Sequence, residues 1–436
     1  MKTTVSLCLI VKNESDCLAR CLESFKDVID EICILDTGST DNTVEIALKY
    51  GARVELFDWC DDFSKARNQN IKMAKSDWII VVDADEYLNQ DDVSTLINAL
   101  SKVEYDGFLI KTLNFHQPGT QNYIVNLNQR IFKNNGNFYY KGRIHEQIVA
   151  VDNSLRKGGF LPLEVGFYHT GYLKDVRQAK KKNERNLTIL ENVVRDEPAT
   201  MFTLFNLANE YSNMKGYEDK SLELYNKAYS FREYNAGFMP KLMVFRIQAL
   251  LRAKKIDSAL EAIEEGLKIF PTFTELVYQR ALIEKERNLI LKSINSFEEC
   301  KIMGKPEAKL EFTTKSYEFG PSFYLGEIYY QQQMYKKAYL NYLDALKIDP
   351  TKFTLLNVMT DCLLNLGENP VRIVELISHF FDLHQRSHVI YFGNLMNNKN
   401  LFPYVLMYFK KDIKRYTMDE KNEILSLLKG LNFSTK

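Results

Sequence analysis

In the first part of the chain, apolar residues come in short unbroken runs, each closing on polar side chains. Val5 to Val11 ends at Lys12-Asn13-Glu14-Ser15. Glu31 to Leu35 closes on Asp36-Thr37-Gly38-Ser39-Thr40-Asp41, and Ala52 to Phe57 forms a third run. Trp78 to Val82 meets Asp83-Ala84-Asp85-Glu86. Continuous runs of this length suit central parallel strands buried on both faces. Between them, Leu18, Cys21, Leu22 and Phe25 recur at helical spacing, as do Val44, Ala47 and Leu48. Phe63 opens a further helix that runs to about Lys75. Strands alternating with helices at this spacing predict right-handed β-α-β units and a mainly parallel sheet. From Asp106 to Tyr172 the sequence becomes aromatic and strand-like.

The period changes again near Asp196-Glu197-Pro198, where Pro marks a boundary. Asp175 to Leu190 reads as a charged connector helix. Beyond it the pattern is helical and repeats. Leu325-Gly326, Tyr329, Ala338, Tyr342, Ala345 and Pro350 fit tetratricopeptide spacing. Weaker copies are Leu207-Ala208, Tyr211, Tyr225 and Ala228, then Ala259, Ile263, Gly266 and Pro271, with Phe297 and Cys300 in a degenerate one. The expected division is therefore 1–195, an α/β domain, and 196–436, an all-α domain of stacked helix pairs.

Composition narrows the function classes. The 436 residues are enough for two or three full cores. With 57 Lys and Arg against 57 Asp and Glu, the zero net charge gives no support to nucleic-acid binding or to broad membrane attachment. The seven cysteines show no zinc-type spacing, and Cys8 and Cys33 lie inside apolar runs, so they read as reduced. The start shows no signal-peptide core and no run reaches membrane-spanning length, so a soluble, cytoplasmic protein is expected.

The polar clusters at the strand ends carry the chemistry. Asn13-Glu14, Asp36 and the pair Asp83/Asp85 all fall at the carboxyl ends of predicted parallel strands, the edge where open α/β sheets bind ligands. Carboxylates are costly to bury unpaired, and Mg2+ or Mn2+ takes one or two of them together with substrate phosphates. Such an ion neutralises a departing diphosphate. Arg67 either adds a bidentate phosphate contact or is a surface ion-pair residue. The P-loop and dinucleotide fingerprints are absent, which argues against NTPases and dinucleotide oxidoreductases.

Four motifs in order, Val5–Glu14, Leu35–Asp41, Phe63–Asn68 and Val82–Glu86, resemble those of family 2 glycosyltransferases with the GT-A fold, over about the first 170 residues. The resemblance implies inverting transfer from a nucleotide-diphosphate sugar, usually UDP-linked. It implies a nucleotide-sugar site at Val11, Asn13, Glu14, Asp36, Arg67, Asp83, Ala84 and Asp85, with Asp36 near the nucleotide base. Asp83 and Asp85 would form the D-x-D motif, Asp85 being the likelier direct metal ligand; Thr37 stands where a second acid is usual. It further implies Gly142 as a loop glycine, Glu146 as the base with His145 as runner-up, and His169 as a metal ligand beside Asp85 and Asp83. Inverting displacement needs such a base near the nucleophile, opposite the leaving diphosphate.

A family 2 domain followed by tetratricopeptide-like helices is similar in layout to bacteriocin S-glycosyltransferases of the sublancin and thurandacin type. That resemblance implies transfer of a hexose, UDP-glucose being the first choice of donor, to a Cys or Ser of a small ribosomal peptide. The helices would hold that peptide or pair two copies of the chain; their plainer role is to stabilise the catalytic domain. Two rivals stand beside this reading. One is a glycosyltransferase of lipopolysaccharide or surface polysaccharide synthesis, and the other is a non-catalytic tetratricopeptide scaffold.

Overall fold

A computed structural model describes residues 3–101, 104–115, 123–152, 159–169, 176–231, 233–410 and 417–430. Tyr172, the end of the aromatic stretch, and Asp175, the start of the expected connector helix, lie outside them. The alternation expected from the sequence is present: β1 (Val5–Val11), α1 (Leu18–Phe25), β2 (Glu31–Asp36), α2 (Thr43–Lys49), β3 (Arg53–Leu56), α3 (Phe63–Met73) and β4 (Trp78–Val81). Then follow β5 (Glu86–Leu88), α4 (Val93–Leu100), β6 (Gly107–Phe115), β7 (Tyr123–Lys133), β8 (Phe138–Lys141), β9 (Gln147–Ala150) and β10 (Phe160–His169).

Eight strands form one sheet in the order β3-β2-β1-β4-β7-β6-β10-β5, and β8 pairs with β9 separately. The first four are mutually parallel. β7 runs antiparallel to both β4 and β6, while β10 runs parallel to β6. The sheet is therefore mixed, with the parallel half that the apolar runs require. The runs of β1, β2 and β4 are buried on both faces, in one cluster with α1, α2 and α4 and a second with α3 and β8, whereas β3, broken by Arg53 and Glu55, is the edge strand and partly exposed. Because β7 reverses, its N-terminal residues lie at the same edge as the C-terminal ends of β4, β6 and β10. β7 continues past the end of β4 and walls that edge.

After β10 every regular element among the described residues is helical: α5 (Val176–Asp196), α6 (Met201–Ser212), α7 (Glu218–Ser230), α8 (Met239–Arg252), α9 (Ile256–Ile269), α10 (Thr274–Glu286), α11 (Ile290–Met303), α12 (Phe319–Gln331) and α13 (Tyr335–Ile348), with further helices to Lys429. Thr200 starts α6 with a capping box to Thr203, which satisfies the free N–H groups of its first turn. Helix pairs α6/α7, α8/α9 and α12/α13 pack in tetratricopeptide fashion. The glycine at 326 has a steric reason: a Cβ there would meet the Tyr342 ring at 2.7 Å. Phe297 and Cys300 are fully buried in α11, as the degenerate repeat requires.

The chain forms two compact units: residues 1–276 with 306–314, and 277–305 with 315–436. The change from strand to helix thus precedes the division into units, and α5 to α9 belong with the sheet. Six cysteines are buried thiols, and Cys60 is exposed. Among the described residues no helix is long and apolar enough to cross a membrane.

Candidate functional site

At the carboxyl end of β4 the chain leaves the sheet with Asp83, Ala84 and Asp85, while Glu86 opens β5. Ala84 is buried in the core, which turns its two acidic neighbours outward. Asp83 is gripped from two sides. Arg67 Nη2 donates to its Oδ1 at 2.5 Å, and Arg130 Nη2 donates to its Oδ2 at 3.2 Å. Arg130 also donates to Glu86 Oε1 at 2.9 Å, and Arg67 Nε donates to Glu146 Oε1 at 3.1 Å. Asp83 N–H donates back to Glu86 Oε2.

Two guanidiniums and three carboxylates thus share a cluster that is buried at Arg67 and Glu86 and opens to solvent at Asp83, whose side chain is 41% exposed. Burial raises the Asp83 carboxyl, but Arg67 and Arg130 outweigh it and hold Asp83 well below the usual carboxylate range. Burial would lower the Arg67 guanidinium, yet Asp83 and Glu146 keep it firmly charged. Glu86 goes the other way, pushed up by burial despite Arg130. Arg67 Nη1 and Arg130 Nε have no acceptor among the described residues, which leaves two buried donors for a ligand or water.

Asp85 takes a different partner. Its Oδ2 lies 3.3 Å from His169 Nε2, and His169 Nδ1 lies 2.8 Å from Asn114 Oδ1. Asn114 and His169 are register neighbours on β6 and β10, so the sheet itself aligns them. An acceptor at Nδ1 holds the proton there and turns Nε2 toward Asp85. Burial would lower the His169 imidazole, but the hydrogen bond and charge of Asp85 outweigh it and raise the pKa. One carboxylate oxygen and one imidazole nitrogen side by side fit a divalent ion that takes its other ligands from a diphosphate and water. Among the described residues no group of three candidate ligands forms, and Asp83 is committed to its guanidiniums.

The remaining nucleotide-side residues meet around the ends of β1 and β2. Asp36 is buried and accepts from Gly38 N, Ser39 N and Ser39 Oγ, which closes its loop. Asn13, at φ 55°, donates its N–H to Ser39 Oγ and accepts Thr40 N–H at 2.7 Å. The Val11 carbonyl accepts from Thr37 N and Oγ1, and Glu14 N–H donates to Thr43 Oγ1. Thr37, at the position where a second acid is usual, therefore has a structural partner. Arg67 is not a surface residue: it is the buried link between Asp83 and Glu146.

His145 is exposed with φ 52°, an uncommon region for a side chain with a Cβ. Glu146 turns inward to Arg67. The loop carrying them is anchored by Ile144, which packs with Ile189, Leu190, Val193, Leu207 and Tyr211 of α5 and α6. Gly142, at φ 108°, permits the turn that starts it. Three site residues had no role assigned from sequence: Glu86, Arg130 and Asn114. The signal for Glu86 was its place directly after Asp85. For Arg130 it was a cation at the junction of the polar Asn128-Gln129 and the apolar Ile131-Phe132. Asn114 gave none, because its partner is 55 residues away.

Residues 6–153 match the family model described as glycosyl transferase family 2. A TPR repeat-containing protein of Synechococcus elongatus is 38% identical over 203 residues, 44% of this chain and 49% of that protein. The SPbeta prophage-derived glycosyltransferase SunS of Bacillus subtilis is 30% identical over 264 residues, 59% of this chain and 61% of SunS. This chain thus spans about half to three-fifths of the length of these curated relatives. Among solved structures, the C-terminal part of a TPR repeat-containing protein of Cytophaga hutchinsonii aligns at TM-score 0.38 and 11% identity, over 60% of this chain and 97% of that one. The N-terminal region of this chain matches a family 2 glycosyltransferase domain, and tetratricopeptide-like helices follow it.

Proposed function

We propose that the chain is an inverting glycosyltransferase that moves a hexose from a UDP-sugar, with UDP-glucose as first choice, to a Cys or Ser of a small ribosomal peptide. The observation that carries this reading is the Asp85–His169 pair, 3.3 Å apart and fixed by Asn114, beside the Arg67–Asp83–Glu146 cluster. Asp85 and His169 would hold Mg2+ or Mn2+, which supplies charge neutralisation for the diphosphate. Val11, Asn13, Glu14, Asp36 and Ala84 would line the nucleotide end, and Asp83, charged between two arginines, would accept hydrogen bonds from donor hydroxyls.

In the reaction, the acceptor sulfur or oxygen attacks the anomeric carbon, the bond from that carbon to the diphosphate oxygen breaks, and UDP leaves with the electron pair. The acceptor proton passes to Glu146, with His145 as the second choice of base. Arg67 Nε, donating to Glu146 Oε1, orients that side chain. A thiol of pKa about 8.5 asks less of this base than a hydroxyl does. The similarity to SunS, a glycosyltransferase of Bacillus subtilis, supports glycosyl transfer. Mass spectrometry of a peptide bearing both Cys and Ser, after incubation with Mn2+ and either UDP-glucose or UDP-GlcNAc, tests the reading. One hexose on Cys is the expected product. UDP-sugar hydrolysis with transfer only to a lipid-linked saccharide would replace the peptide reading with the polysaccharide one.

A further inference from the structure

Beyond the donor residues, β6 and β7 carry a polar row toward the same edge. Asn114 Nδ2 donates to the Thr112 carbonyl, Asn128 Nδ2 donates to Thr112 Oγ1, and Asn126 pairs in register with Thr112. The row ends on a cation from the helical region: Lys241 Nζ, on α8, donates to Asn126 Oδ1 at 2.5 Å. Asn126 is four residues along β7 from Arg130, which touches Asp83, so this ammonium stands on the wall of the site past the end of β4.

Lys241 differs from the other cations here. Arg67, Arg130 and Lys111 each contact two carboxylates. Glu311, on the segment that meets Val125 of β7 through the Phe312 carbonyl, is paired with Lys111. Among the described residues no carboxylate pairs with Lys241, which is half-buried with a neutral amide as its hydrogen-bond partner. Burial pushes its ammonium down to about 8, with no neighbouring charge to offset it. A half-buried ammonium without a counter-charge is strongly stabilised when an anion arrives. Phe238, immediately before α8, and Phe245, on it, flank Lys241 at i−3 and i+4 and are half-buried. They stack with Phe205, and Phe245 also meets Phe312 edge-on, which makes a fixed aromatic ledge beside the charge.

We infer that Lys241 and this ledge form an acceptor subsite that takes the carboxylate of an acidic residue on the peptide. Carboxylates are the ordinary anions of a ribosomal peptide, and the ledge suits an apolar neighbour of that acid. The inference rests on the peptide-acceptor reading above and makes Lys241 a specificity-determining residue.

The experiment uses peptides with a central Cys and either Asp or Asn at each flanking position, assayed with UDP-glucose and Mn2+. For the full-length protein, KM for one Asp peptide should be about 10–100-fold below that of its Asn twin, the worth of a hydrogen bond to a charged group. Lys241→Met should erase the preference and Lys241→Arg should keep it. Binding is read separately, as protection of Lys241 from acetylation with UDP present. Equal behaviour of Asp and Asn peptides toward the unmodified protein, or an Asp preference that survives Lys241→Met, overturns the subsite. Asp-selective protection without transfer upholds the subsite and removes the Cys-transfer reading. Transfer without any Asp preference does the reverse, and no protection by any Asp peptide overturns the subsite whether or not transfer occurs.

Discussion

The two ends proposed for this sheet edge, donor and acceptor, differ in how their charges are engaged. Around Asp83, Arg67 and Arg130 are each shared between two carboxylates. On the side proposed for the acceptor, Lys241 has an amide and, among the described residues, no carboxylate. Charges shared in this way hold one another in place, because moving one uncovers the others. A donor site of this kind suits one constant group, such as a nucleotide diphosphate. On the peptide reading, the acceptor side discriminates among substrates with a group whose partner arrives with the substrate.

The largest effect should come from separating Asp83 and Asp85, two acids on one strand end. Asp85→Ala should cut transfer by at least about 10²–10³-fold and abolish Mn2+ binding measured calorimetrically with UDP, whereas Asp83→Asn should keep the metal. Equal loss of Mn2+ in both variants would break the distinction between them. Next, Arg67→Met leaves Glu146 without its guanidinium, while Asp83 keeps Arg130, and should cost about 1–3 kcal/mol of stability in urea unfolding. A change well under about 1 kcal/mol would show that the Arg67–Glu146 pair is not structural.

On the acceptor side, Glu146→Ala should lower transfer to Ser by about 10²–10⁴-fold and to Cys far less, read from initial rates on matched peptides. Equal losses would remove the thiol-specific part of the proposal. The smallest effect belongs to Asp41, at the outer rim of the nucleotide loop. Burial raises its carboxyl, but hydrogen bonds from Thr43 and Ser15 outweigh that and lower it to about 2. Its contribution to stability is therefore full above about pH 5, where the unfolded carboxylate is also ionised, and is lost as pH falls toward about 2. Asp41→Asn should flatten that acid limb in melts between about pH 5 and 2 by lowering stability slightly at neutral pH, so that the two proteins converge at the acid end.

Sequence legibility followed the same divide. The apolar runs 5–11, 31–35 and 78–82 specified the parallel half of the sheet, because a strand buried on both faces has no choice of side chain. Asp83, Asp85 and Arg67 were legible as a charged set at strand ends. What they bind to each other was not: Arg67 reads equally as a phosphate ligand or a surface ion pair until Asp83 and Glu146 are seen on either side of it. Asn114 and Arg130 needed the register of β6, β7 and β10, and an antiparallel pairing set by long connections leaves no local trace. Lys241 stood furthest from reach, since it arrives from a helix 115 residues beyond its partner.

The core around Ile144 also bears on how this chain can be taken apart. Ile144 sits two residues before Glu146, and its apolar neighbours are Ile189, Leu190 and Val193 of α5 with Leu207 and Tyr211 of α6. Cutting the chain at 195 would therefore remove Leu207 and Tyr211 from the covering of the segment that orients the proposed base, leaving a wet, sticky face where a dry one is needed. The region that matches the glycosyltransferase family is thus not a cassette that can be transplanted onto another repeat array at that junction. A graft that keeps the fold of the site must carry α5 to α9 along, and, on the peptide reading, new specificities are better sought by changing α8 in place than by swapping the helices wholesale.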